Sequence, residues 1–287
     1  MKVALVGSSG YIAGYLIKRL IREQKVTDIV KIDKNDSADY YLDLEKPEEF
    51  DYSKLADFDF VVFMAAISGP DMCAREYDHC FRINVTGTNF FINQALNNNC
   101  KVLFFSSDAV FGYEPSSIYT EESETKAYTA YGKMKKAVED EFKDNALFKA
   151  IRLSYVMSAN DRFTSYCLNC IKKAEKADIF HPFYRSVISI SDVEDTVIFF
   201  IYNWEKYESS FYNVAGTELV SRVRIADEIN RFYEGRLDYQ ISAPGSDFFE
   251  NRPAITQMRS IYNDRYGIIK EESFTEKIIR ELEGYEL

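Results

Sequence analysis

With 287 residues, 46% of them hydrophobic and 15% aromatic, the chain can build a sizeable core in one large α/β domain plus a smaller lobe. A formal net charge of −11 and an isoelectric point near 4.9 argue against nucleic acid or anionic membranes as partners. No apolar run approaches the roughly 20 residues of a membrane span. Five cysteines without a targeting segment read as reduced thiols, so a cytoplasmic location is expected.

Lys2 to Val6 is a short apolar run that reads as a buried strand. The loop Gly7-Ser8-Ser9-Gly10-Tyr11-Ile12-Ala13-Gly14 follows, and Tyr15 to Ile21 has helical periodicity. Strand, glycine loop and helix make the context of a dinucleotide fingerprint. Glycines let the backbone approach a pyrophosphate, and the helix N-terminus meets its charge. Gly7, Ser9, Gly10, Tyr11 and Ile12 are the expected contacts, with Ala13 packing the helix on the strand. The next strand, Asp28 to Asp33, ends in an acid about 20 residues beyond the loop, placed to accept from the adenosine ribose hydroxyls. An acid there favours NAD, and Lys34 directly after it leaves NADP open.

Phe60 to Met64 reads as a further strand, followed by a turn at Ala65 to Gly69 and a long helix from about Tyr77 to Asn97. Lys101 to Phe105 is a strand that delivers Ser106 and Ser107 at its carboxyl end, where open parallel sheets bind ligands. Tyr131-Gly132-Lys133-Met134-Lys135 lies on the next helix. Tyr131 and Lys135 share one face, roughly 5–6 Å apart. The lysine charge is expected to favour the phenolate and draw the tyrosine pKa down from ~10. With a serine hydroxyl beside it, such a pair can pass a proton while a nicotinamide passes a hydride. In a chain with 21 tyrosines this spacing is weak alone and gains weight from its surroundings.

After a strand at Phe148 to Leu153 the pattern loosens. Residues 1–154 are expected to form a dinucleotide-binding domain, with 187–214 returning to it. That return runs through Ser186 to Ile190, a helix from Ser191 to Trp204 and a strand from Phe211 to Val214. Residues 155–186 and 215–287 are expected to form a substrate-binding lobe. Cys167 and Cys170 fall on an amphipathic helix from Phe163 to Ala174 and read as packing. His79 with Cys73 and Cys80 fits no common zinc spacing, so no metal is expected. The two histidines, His79 and His181, accompany no Gly-x-Ser-x-Gly elbow, which sets hydrolase chemistry aside.

In chain order, Gly7-x-x-Gly10-x-x-Ala13, Asp33, Asp43-Leu44, Ala65-Ala66 and Asn84-Val85-Thr86-Gly87-Thr88 are followed by Ser106 to Gly112, Tyr131-x-x-x-Lys135 and Arg152-Leu153-Ser154. Together these pieces resemble the extended short-chain dehydrogenase/reductase family over nearly the whole chain. The resemblance implies an α/β fold, a Rossmann-type doubly wound parallel sheet with a smaller C-terminal substrate lobe. It implies Tyr131 as acid/base, Ser107 orienting the reacting oxygen and Lys135 on the nicotinamide ribose. Asp43 would lie near the adenine and Ala65 and Ala66 under the cofactor, with Leu44, Asn84 and Ser106 also in that site.

Members act mostly on nucleotide sugars. Dehydratases carry an Asp-Glu pair after the catalytic hydroxyl; here Ala109 leaves only Asp108, so dehydration is not expected. The Ser107-Asp108-x-Val110-Phe111 pattern, Arg252-Pro253-Ala254 and Tyr266-Gly267-Ile268 are closest to the dTDP-4-dehydrorhamnose reductase branch. Tyr184-Arg185-Ser186-Val187 is nearer the epimerase pattern. Arg185 and Arg252 are candidates for a substrate diphosphate, since a guanidinium fork suits phosphate oxygens. The implied activity is NAD(P)-dependent reduction of a 4-keto sugar nucleotide. A 4-epimerase holding NAD tightly is the alternative. A non-catalytic cofactor-binding subunit is a third reading, which the intact Ser107, Tyr131 and Lys135 argue against. Relatives often form a homodimer through the helix after Asn84 and the Tyr131 helix, and the sequence leaves the oligomeric state open.

Overall fold

Val3 to Val6, Phe60 to Phe63 and Val102 to Phe105 are buried at every position. Such runs cannot alternate between core and water and belong in a parallel sheet covered by helices on both faces. The computed structural model describes residues 1–114 and 116–287. Its first part runs β1 (Lys2–Val6), α1 (Tyr11–Leu20), β2 (Asp28–Asp33), β3 (Tyr40–Tyr41), β4 (Phe60–Phe63), α2 (Pro70–Arg75), α3 (Tyr77–Phe81) and α4 (Thr88–Asn97). Next come β5 (Lys101–Ser107), β6 (Ile118–Tyr119), α5 (Ala130–Phe142), β7 (Phe148–Leu153), β8 (Val156–Met157), α6 (Arg162–Lys173), β9 (Ala177–Phe180), β10 (Tyr184–Arg185) and β11 (Ile188–Ser189). The chain ends with α7 (Ile190–Asn203), β12 (Phe211–Val214), β13 (Val220–Ser221), α8 (Arg222–Phe232), β14 (Tyr239–Ser242), β15 (Ile255–Met258), α9 (Asn263–Tyr266) and α10 (Phe274–Leu282).

Seven strands form the main sheet in the order β12-β7-β5-β4-β1-β2-β3. The β1–β2, β1–β4, β4–β5 and β2–β3 pairs are parallel. Strand order reverses between β1 and β4, the switch point at which a doubly wound sheet opens a crevice beyond its carboxyl ends. This is the Rossmann-type fold. Helix α1 turns Ala13, Leu16 and Leu20 onto the sheet at helical spacing.

The chain divides into two units. The first comprises Met1–Gly112, Glu124–Arg152 and Glu194–Tyr212; the second comprises Tyr113–Ser123, Leu153–Val193 and Asn213–Leu287. These bounds differ from the sequence expectation by two residues at 153–154 and at 213–214, and by longer segments in two places. Residues 113–123 fall in the second unit because β6 pairs with β15, Ile118 opposite Gln257. Residues 187–193 do so because β11 pairs with β8, Ile188 opposite Val156, instead of entering the main sheet. Such two-residue strands are too short to leave a periodic signal.

The expected helix from Tyr77 is also reshaped. It starts earlier, at Pro70, breaks at Glu76 (φ −118°, ψ 48°) and passes through a π turn at Arg82–Gly87 before α4. Among the described residues, no helix is long and apolar enough to cross a membrane.

Candidate active site

The first unit opens a cleft of about 490 Å³, part of it facing solvent, at the switch point of the sheet. Gly7, Asp33, Asp43, Leu44, Ala65 and Ala66 all line it. Gly7 has φ +86°, and a Cβ there would lie 2.6 Å from the Ala65 backbone nitrogen, so only glycine lets the β1 loop lie against the β4 loop. Gly10 caps α1 without a side chain, leaving the first-turn N–H groups of the helix for an anion. Asp33 Oδ2 accepts from the Ser9 N–H at 2.8 Å and the Ser9 hydroxyl at 2.9 Å, fixing the loop to the end of β2. Tyr11 and Ile12 lie in the first turn of α1, Tyr11 in edge contact with Tyr15.

Lys34, which the sequence left as a possible partner for a 2′-phosphate, is held elsewhere. Its ammonium lies 2.8 Å from Asp43 and 3.7 Å from Glu45. Partial burial pulls the Asp43 carboxyl up, but its bonds from Lys34 and the Glu45 N–H prevail and hold it below its ordinary range. Asn84 is held by the backbone beside the cleft. Its Oδ1 accepts from Ile67 N–H at 2.8 Å and its Nδ2 donates to Ile67 O at 2.9 Å, so this buried amide clamps the loop that carries Ala65 and Ala66.

At the carboxyl end of β5, the Ser107 hydroxyl accepts from Ala109 N–H at 3.2 Å and donates to Asp108 Oδ1 at 3.1 Å. Helix α5 begins beside this turn. Thr129 caps it by accepting from Gly132 N–H at 3.1 Å. A Cβ on Gly132 would sit 2.2 Å from the Ala109 carbonyl oxygen, so the first turn of α5 rests directly on the turn after Ser107. Tyr131 is half-buried in that first turn, against Cys73, Cys80, Val85 and Met134. One turn on, Lys135 is buried, and its Nζ donates to the Phe105 carbonyl at 2.7 Å, 5.8 Å from the Tyr131 ring centroid.

The electrostatics differ from the sequence expectation. Burial, then Cys73 and the Asp108 charge, push the Tyr131 phenol above its ordinary value instead of below it. Lys135 does not offset this, because burial draws it down to about 7 against the pull of Glu139 and Cys73. Tyr131 therefore stands as a protonated phenol at neutral pH.

Ser106 is also redirected. Adjacent strand residues face opposite ways. Its hydroxyl donates to Glu139 Oε1 at 2.5 Å, inside a buried network in which Arg152 binds both Glu139 oxygens. Neither Glu139 nor the role of Arg152 was found by motif. A glutamate four residues after a lysine on a buried face was the available signal.

In the second unit, a shallow pocket of about 200 Å³, part of it facing solvent, is lined by Tyr155, Phe183, Arg185, Val187, Val220, Arg222 and Ile225. Arg185 lines it but spends its donors on backbone, reaching Tyr184 O at 2.6 Å and Pro253 O at 2.8 Å. Arg222, missed in the sequence, lies over the Phe163, Phe183 and Phe248 rings at 5.1, 4.5 and 5.6 Å, and its buried Nε has no hydrogen-bond partner. Arg252 lies over the same Phe248 ring at 4.5 Å. Burial, opposed by Tyr155 and abetted by Arg252, lowers the Arg222 pKa. A basic residue opening α8 runs against the helix dipole; that misfit was the available signal, and Arg224 two residues on shares it.

Cys167 and Cys170 are buried in the core of this unit, Cys167 pushed up to about 12 by burial and then by its neighbour Cys170. Among the described residues, no three His, Cys, Asp or Glu side chains gather as a metal site.

A family model described as RmlD substrate binding domain matches residues 1–285. A dTDP-4-dehydrorhamnose reductase from Clostridium acetobutylicum is 20% identical with a TM-score of 0.82, the match covering 98% of each chain. A UDP-glucose 4-epimerase from Thermotoga maritima is 14% identical with a TM-score of 0.81, over 99% of this chain and 98% of that one. A dTDP-4-dehydrorhamnose reductase from Bacillus anthracis, in complex with NADP, is 19% identical with a TM-score of 0.81, over 98% of each. At these identities the likeness is one of fold. No curated protein sequence matches the chain.

Proposed function

The chain belongs to the RmlD substrate binding domain family, and we propose that it is an NAD(P)-dependent reductase of a 4-keto sugar nucleotide. The carrying observation is geometric: the first turn of α5, which bears Tyr131, rests on the turn after Ser107, and Lys135 one turn on is tied to the Phe105 carbonyl of β5. A protonated phenol suits a donor that must quench an alkoxide as the carbonyl is reduced. The Ser107 hydroxyl orients the reacting oxygen, and Tyr131 delivers the proton to it. Asp108 accepts from Ser107 and helps to keep Tyr131 protonated.

The cleft fits a dinucleotide, since Gly7 leaves room where a Cβ would collide and Asp33 presents a carboxylate at its wall. Bound there, the nicotinamide supplies the hydride. Asp33 takes the adenosine ribose hydroxyls, Lys135 the nicotinamide ribose and the α1 N-terminus the pyrophosphate. Asp33, together with a Lys34 already paired to Asp43, favours NAD over NADP. In the second unit, Arg222 with Arg252 is our candidate for the substrate diphosphate, in place of Arg185. Its buried Nε, which has no hydrogen-bond partner, supports that choice.

The test is nicotinamide absorbance with NADH or NADPH and a panel of 4-keto and 4-hydroxy sugar nucleotides. Oxidation of the cofactor by a 4-keto sugar is expected. Interconversion of hydroxy sugars with NAD retained would replace reductase by epimerase. Tyr131→Phe should cut turnover by about 10²–10⁴-fold with dinucleotide binding and melting temperature nearly unchanged; a variant that turns over normally would overturn the mechanism.

A further inference from the structure

Lys135 and Glu139 are one turn apart on the buried face of α5, 3% and 1% exposed. Glu139 is fastened from two strands. Ser106 on β5 donates to Oε1 at 2.5 Å; from β7, Arg152 Nε and Nη2 approach the carboxylate at 3.1 and 2.7 Å. The Arg152 guanidinium is flanked by the Phe111 ring at 5.0 Å and the Phe211 ring at 4.2 Å. Ser106 stands between Phe105, whose carbonyl receives the Lys135 ammonium, and Ser107. A tether at Ser106 therefore sets the register of α5 on the strand end that carries the reacting hydroxyl.

We propose that Glu139 is a positioning residue for the reaction. Its carboxylate locks α5 onto β5 and β7 and supplies the negative charge that keeps Lys135 an ammonium. The inference rests on the reading of Lys135 as part of the reacting set.

Among the described residues, the groups facing Lys135 are few. Its own helix presents Tyr131 and Glu139, β5 presents the Phe104 ring at 4.4 Å and the Phe105 carbonyl, and α2 presents Cys73. Arg152 reaches this set from β7 through Glu139. Among them Glu139 is the carboxylate. Burial leaves Lys135 near 7, so at neutral pH it is poised between its two forms, and a change in the Glu139 charge changes its occupancy directly.

The decisive measurement is the titration midpoint of Lys135 in the folded full-length chain, read by NMR on isotope-labelled lysine, in wild type, Glu139→Gln, Glu139→Asp and Arg152→Gln. Glu139→Gln should lower the midpoint by about one unit, and the alkaline limb of the turnover profile should move down with it. Glu139→Asp, which keeps the charge, should return the midpoint most of the way. Arg152→Gln strips the carboxylate of its guanidinium and should move the midpoint upward.

A purely structural role would move neither midpoint, or move both in one direction, and either result overturns the proposal. If Glu139→Gln does not fold, Arg152→Gln still decides, since an unmoved or lowered midpoint in that variant overturns the proposal. A chain that shows these shifts but reduces no keto-sugar would sink the functional reading and leave the Glu139–Lys135 coupling standing.

Discussion

The cleft of the first unit and the arginine pocket of the second are built in opposite ways. The first is shaped by backbone: a positive-φ glycine, strand ends, a helix N-terminus and a helix resting on a turn. The second is shaped by side chains gathered from Tyr155, Phe183, Arg222 and Phe248, with neighbouring guanidinium groups of unlike occupation. Backbone sites are specified by local spacing, because a strand, a turn and a helix fix their own geometry. Side-chain sites depend on which donors are already spent, and no local spacing records that.

The largest effect is expected where the backbone argument is sharpest. Gly132→Ala forces a Cβ toward a carbonyl oxygen 2.2 Å away. Overpacking of this kind costs about 1–3 kcal/mol, and displacing Tyr131 by even ~1 Å can cost 10²-fold in rate. Both a lower melting temperature and a turnover loss near that size are expected. A variant with normal turnover would show that the close approach of α5 to the Ser107 turn does not set the site, and the contrast with the second unit would fail.

The second unit offers the complementary experiment. Arg185→Ala leaves the Tyr184 and Pro253 carbonyls without their donor at a position 8% exposed, so stability should fall by about 1–3 kcal/mol. Arg222→Ala removes a guanidinium whose Nε has no partner, so stability should move less. Its cost should appear instead as a roughly 10–100-fold loss of nucleoside-diphosphate affinity, the loss of one charged hydrogen bond. Calorimetric binding of a nucleoside diphosphate beside thermal melts separates the two. If Arg185→Ala loses affinity and Arg222→Ala loses stability, their roles are exchanged.

This difference also explains how much was legible in the sequence. Strands β1, β2, β4 and β5 and the sheet they build follow from apolar runs long enough to carry a signal, and Gly7 and Asp33 line the cleft that their spacing pointed to. Tyr131 and Lys135 share a helix face, as spacing alone demands, yet the direction of the Tyr131 shift did not follow, because it depends on burial against Cys73 and Asp108. Ser106 and Asn84 sit in the right segments, but their side chains serve Glu139 and Ile67, partners 33 and 17 residues away. Segment 113–123 joined the other unit through a two-residue strand, below the length at which periodicity speaks.

The smallest expected effect tests whether the first cleft has a side-chain component of its own. Lys34 is solvent-facing and paired to Asp43, so what it could offer a 2′-phosphate is held by a neighbouring carboxylate. Asp43 stays ionised because its pKa is depressed; the pairing should persist as pH falls until the carboxyl protonates, below its usual range. Asp43→Asn should release the ammonium at every pH. NADP affinity should then rise relative to NAD by about two- to fivefold, the scale of one exposed ion pair, with little change in melting temperature. Lys34→Ala in the Asp43→Asn background should cancel the gain. A preference that Asp43→Asn leaves unmoved would assign discrimination to Asp33 and the backbone that holds it, making the cleft a backbone site in selectivity as well as in shape.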